Sequence, residues 1–184
     1  MGLIVFDQSS SVVRLAHYSM QEYLRIHLQD VERPSQGIGP DIVARTCLAV
    51  LLSTELATGP CTNVFALQRR LQSCPLLHYS ASNWAYHMAM ASNAVQLEWL
   101  AVRFLLDQNR VAAACQVDSR FTSTSTSWRN LNDTDKNFTG LHLATTLGCS
   151  KNVIEELLLT IDADCRTSTD ETPLFLRHVS ETFR

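Results

Sequence analysis

The sequence predicts a mainly α-helical fold with a β-hairpin near its N-terminal end. Glycine and proline together supply 11 of the 184 residues, below the usual share of about 12%, and turn-rich all-β architectures need more. Apolar residues recur at helical spacing through most of the chain. The exceptions are Leu3-Ile-Val-Phe6 and Ser11-Val-Val-Arg-Leu15, rich in β-branched or large apolar side chains on either side of the polar segment Asp7 to Ser10. That pattern reads as two strands and a turn.

Ser19-Met-Gln-Glu22 has the form of a capping box, so a helix is expected from there through about Leu28. Pro34, Gly37, Gly39 and Pro40 then mark a long loop. Asp41 to Ser53 carries Val43, Cys47, Val50 and Leu51 at helical spacing, and Gly59-Pro60 breaks it. Val64 to Leu71 reads as a short helix. Pro75 suits a first helical position, after which Leu77, Trp84 and Met88 form a core-facing stripe. Ala94 to Leu106 repeats the pattern with Leu97, Val102 and Leu105, and Val111 to Val117 closes the run. Phe121 to Trp128 alternates Ser and Thr, and Asn130, Asn132, Asp133 and Asp135 follow. So little apolar surface does not offset the entropy of ordering, and a linker is expected there.

Charge and cysteine usage exclude several classes. The net charge is -3, and the 15 basic residues are scattered, with Arg69-Arg70 the sole adjacent pair. That distribution argues against nucleic acid or an anionic membrane as partner. Leu71 to Leu97 contains no charged residue but is interrupted by Pro75, His78, Ser80, Ser82, Asn83, His87, Ser92 and Asn93. It is too polar to span a bilayer and reads as buried helices. The apolar run Leu3 to Phe6 is too short for a signal peptide. Six cysteines at 47, 61, 74, 115, 149 and 165 never form Cys-x-x-Cys, and without a secretory signal they are expected as reduced thiols of a cytoplasmic protein. For the same reason the glycosylation patterns at Asn132 and Asn137 are not expected to be used.

The linker is followed by Thr139-Gly-Leu-His-Leu-Ala144, and 33 residues after Thr139 stands Thr172-Pro-Leu-Phe175. This interval and the Thr-x-Leu-His-x-Ala pattern resemble the ankyrin repeat. The resemblance implies that Thr139 caps a first helix, that His142 hydrogen-bonds between repeats, and that Gly148 turns the chain between paired helices. Val153, Ile154, Leu157, Leu158 and Leu159 would form the second helix, before Asp162-Ala-Asp164. Gly140 departs from the usual Pro and Asp162 from the usual Gly.

Upstream, Gly2-Leu-Ile-Val, Val13-Arg-Leu-Ala-His17, Tyr18-Ser-Met-Gln-Glu-Tyr-Leu24, Arg45-Thr-Cys-Leu48 and Pro75-Leu-Leu-His-Tyr-Ser-Ala-Ser-Asn-Trp84 occur in this order. Their order resembles the region after the ATPase module in fungal NACHT-ankyrin proteins, signalling ATPases similar in plan to NLR immune receptors. The resemblance implies four parts. Residues 1–28 would end a winged-helix domain of the GPI inositol-deacylase-like type, 29–117 a helical region, 118–138 a linker, and 139–184 one complete and one truncated ankyrin repeat. It implies a non-catalytic, regulatory or protein-binding segment whose partners act through the ankyrin region. Neither Lys136 nor Lys151 follows a glycine, so no phosphate-binding Gly-x-x-x-x-Gly-Lys-Ser/Thr loop exists. The chain is therefore expected to be a piece of a longer protein, lacking its NACHT module and further repeats.

Two other functions compete. A winged helix reads DNA through a helix in the major groove, but Ser19 to Leu28 offers only Arg25 and His27 as basic groups. A small hydrolase would pair Cys47, Cys61 or Cys74 with His17, His78 or His87, yet no activating motif surrounds these cysteines. His78 and His87 lie nine apart, not at the spacing of a helical zinc pair. Tyr79, Trp84, Tyr86 and Trp99 could form an aromatic platform, though core packing accounts for Trp84 and Trp99. Glu155, Glu156, Asp162 and Asp164 read as a solvated acidic face rather than a calcium loop. No catalytic, cofactor or metal residue is assigned, and the partner-binding residues are left open.

Overall fold

The computed structural model describes residues 4–7, 12–15, 18, 19, 22, 38–91, 94–118 and 137–182. Two compact units divide the chain, residues 1–38 and 39–184. In the first, β1 (Ile4–Asp7) and β2 (Val12–Leu15) pair antiparallel, with Ile4 opposite Leu15 and Asp7 opposite Val12. Tyr18 and Ser19 are both helical, which moves the helix start ahead of the Ser19 cap expected from the sequence. His17, Arg25 and His27 lie outside the described residues, as do the linker residues 119–136.

The second unit is helical. α1 (Ile38–Leu51) starts earlier than the sequence suggests, taking Gly39 and Pro40 into its first turn. A first-turn Pro forfeits no helical hydrogen bond, because the amides there have no intrahelical acceptor. Ala44, Cys47, Leu48 and Leu51 are buried at steps of three, one and three, the core stripe of an amphipathic helix. The single turn α2 (Thr54–Ala57) buries Leu56. Asn63 caps α3 (Val64–Ser73), its side chain accepting from the Ala66 amide at 2.9 Å. α4 (Leu77–Ala89) begins two residues after Pro75 and buries Leu77, Ala81, Trp84 and Met88.

α5 (Ala94–Leu105) buries Leu97, Ala101, Phe104 and Leu105, and α6 (Gln108–Val117) buries every residue from Val111 on. Trp84 meets Phe104 edge-on, with ring centroids 5.6 Å apart. Each of these fully buried aromatic side chains contributes about 1.5–3 kcal/mol through burial. A buried side chain ties the loop between α2 and α3 to α6: Gln116 accepts from the Cys61 amide at 2.8 Å and donates to the Cys61 carbonyl at 2.7 Å.

α7 (Gly140–Leu147), α8 (Lys151–Leu158) and α9 (Pro173–Thr182) follow. α7 packs on α5, α6, α8 and α9, and α8 packs on α5. The expected division at 118–138 thus separates no second core, since Leu141, Leu143, Ala144, Leu147, Val153 and Leu157 join the same apolar cluster as Trp84 and Phe104. Leu157 is fully buried, whereas its neighbour Leu158 is 44% exposed, so the two leucines point to different sides of α8.

Candidate interaction surface

The best-built polar arrangement lies where α7 meets α9. His142, fully buried on α7, accepts at Nδ1 from the Thr139 amide at 3.1 Å. Its Nε2 stands 3.3 Å from the Glu171 carbonyl. A ring nitrogen that accepts from an amide carries no proton, so Nε2 is the one that donates. The neutral ring therefore ties the start of α7 to the residue two places before α9. Phe138 stacks on the same ring at 5.3 Å. Gly148 adopts φ 69° at the end of α7, a left-handed conformation that glycine takes without penalty, and turns the chain into α8. Thr172 caps α9 by accepting from the Phe175 amide at 3.3 Å.

Gly140 meets α5 so closely that a Cβ built there would stand 1.9 Å from the Leu105 carbonyl oxygen. Proline in its place would meet the same carbonyl. Two turns earlier on α5, Glu98 accepts from Ser150 Oγ at 2.6 Å and from the Asn152 side-chain amide at 3.1 Å. The carboxylate thereby anchors the first turn of α8, where negative charge is favoured.

A groove of about 440 Å³ runs beside this anchor, lined by Glu98, Trp99, Val102, Arg103, Leu106, Asn152 and Glu156. Trp99 is 60% exposed, so it is a surface residue and not the core residue the apolar stripe suggested. The Arg103 guanidinium lies over its ring at 4.7 Å. Leu174 and Phe175 expose a second apolar face on α9.

The other candidates do not converge. Cys47 and Cys61 are buried, and Cys74 is half-buried. Burial pushes the Cys47 thiol up, and burial aided by the nearby Glu55 carboxylate does the same to Cys74. Cys149, packed against the core, is pushed up to about 12 by desolvation. Such thiols stay protonated at neutral pH and are weak nucleophiles. His78 is exposed on α4, and His87 meets the Tyr79 hydroxyl at 2.6 Å. Tyr79 and Tyr86 are exposed while Trp84 is buried, so the three form no common platform. Glu155 pairs with Lys151, and Asp162 accepts from the Asp164 amide. Among the described residues no group of three or more His, Cys, Asp or Glu could hold a metal ion, and no helix is long and apolar enough to cross a membrane. The sequence reading missed Glu98, whose partners lie more than fifty positions away, and the exposure of Trp99.

Comparison with known proteins adds one relative. Over 85 residues the chain is 32% identical to the azaphilone pigments biosynthesis cluster protein L of Monascus ruber. The match covers 44% of this chain and 17% of that protein, so the chain spans less than a fifth of its relative's length. No family model matches the chain, and no solved structure does.

Proposed function

We propose that the chain is a non-catalytic interaction and regulatory segment of an NLR-like signalling protein, with α7 to α9 as an ankyrin-type unit that binds protein. The observation that carries this reading is the offset between α7 and α9. They start at Gly140 and Pro173, 33 residues apart, each preceded by a threonine, with His142 bridging from one to the approach of the other. Stacked repeats rely on such neighbour-to-neighbour bonds, because one unit cannot bury its apolar face alone. The exposed Leu174 and Phe175 supply apolar contact area on this unit. In the same reading β1 and β2 are the wing of a winged-helix domain that packs within the protein, a role in keeping with the net charge of -3.

Photo-crosslinking from a probe amino acid at Phe175, in cells expressing the chain, tests the proposal. A discrete protein adduct that disappears with Leu174→Glu is the expected result. Loss of all adducts from probes on both α7 and α9, or catalytic turnover traced to the purified chain, would overturn it.

A further inference from the structure

α5 is apolar on two sides. Leu97, Ala101, Phe104 and Leu105 enter the core, yet Val95 at 76% exposure, Trp99, and Leu106 at 45% stand outside with half-buried Val102 among them. Leu106 continues the last turn, its amide bonded to the Val102 carbonyl at 2.9 Å. A contiguous apolar stripe left on the outside of a helix marks a surface that a partner covers. The outer residues 95, 99, 102 and 106 follow one another at steps of four, three and four, the spacing of a heptad seam along which two helices wind together.

The charges flanking the seam say what covers it. With Val95 and Val102 at d positions and Trp99 and Leu106 at a, Glu98 falls at g and Arg103 at e. In a parallel pair, a g residue faces the e residue five places further along the partner helix. Two copies of α5 set parallel therefore bring Glu98 of each against Arg103 of the other. An antiparallel pair would instead set Glu98 on the flank of its own counterpart. Arg103 is free for this bond, since among the described residues it forms no ion pair and rests only on the Trp99 ring. Glu98 keeps acceptor capacity beside its bonds to Ser150 and Asn152, because a carboxylate offers about four lone-pair sites. The groove of about 440 Å³ next to Trp99 leaves space for a second indole.

We infer that α5 is the docking surface for a second copy of this chain, joined in parallel by a Val95-Trp99-Val102-Leu106 seam and two symmetric Glu98–Arg103 pairs. The interface is isologous and closes as a dimer. It rests on the outer face of α5 and not on the ankyrin-type reading of α7 to α9.

Sedimentation equilibrium of the full chain from about 1 to 200 µM, a range that detects micromolar association, should show a reversible monomer–dimer equilibrium. Arg103→Glu places like charges together and should weaken it by about tenfold or more. Mixing Arg103→Glu with Glu98→Lys should restore association, as a heterodimer. Because Glu98 also anchors α8, a second measurement uses only exposed positions: Val95→Cys should form a disulfide-linked dimer under mild oxidation where the native chain forms none. A chain monomeric throughout the range, a dimer indifferent to Arg103→Glu, or cross-linking only between Val95→Cys and Leu106→Cys chains would overturn the inference.

Discussion

Replacing Gly140 by alanine tests how tightly α7 is seated on α5. On an ordinary helix, Gly→Ala gains about 1 kcal/mol from reduced backbone entropy and better propensity. Here the added Cβ would stand 1.9 Å from the Leu105 carbonyl oxygen, and real Cβ atoms essentially never approach closer than 3.0 Å. The obstacle is backbone at the buried end of α5, so no side-chain rotation relieves it. α7 must withdraw by roughly an ångström, loosening Leu141 and Leu105 in the core, and overpacking of this kind costs about 1–3 kcal/mol or more. Net of the propensity gain, we expect a loss of about 2 kcal/mol, which for a domain of this size lowers Tm by roughly 4–8 °C. Urea denaturation should show a lower midpoint at unchanged slope. Gly140→Pro, which restores the common ankyrin residue, should also destabilise. A variant of either kind as stable as the native chain would refute the reasoning.

Three further outcomes are expected. His142→Ala removes the acceptor for the Thr139 amide and the donor to Glu171, so thermal unfolding should report a loss of about 1–3 kcal/mol. Leu157→Ala, at a fully buried site, should cost about 2–5 kcal/mol by urea titration, and Leu158→Ala, 44% exposed, under about 1. Cys149 has its folded value raised to about 12 from 9.0, so the folded state holds its proton longer than the unfolded one. Its contribution to stability is constant below pH 9 and falls as pH rises through the window from 9 to 12. Alkylation at pH 8, followed by mass spectrometry, should find Cys149 reacting far more slowly than a free thiol.

The sequence was most legible where one periodicity had one interpretation. Leu77, Trp84 and Met88 share a stripe that runs the length of α4, and all three are buried. Two patterns overlap on α5, and a count of apolar positions does not say which stripe faces in, so Trp99 was misplaced. Leu157, Leu158 and Leu159 illustrate the same difficulty: successive helical side chains point about 100° apart, so one of three leucines enters the core. The Ser/Thr-rich stretch suggested a boundary, but a polar linker reports only on itself and not on whether the helices at its two ends share a core. Gly140 was visible as a departure from a pattern, while its cause, the Leu105 carbonyl, lies 35 residues away.

The Gln116 side chain presents to Cys61 the donor and acceptor that a neighbouring β-strand would offer, without any strand. An amide held in this way meets solvent when the loop or the Gln116 side chain moves away, or when α6 opens. Hydrogen exchange at the Cys61 amide would therefore report how firmly a connecting loop is fastened to the core.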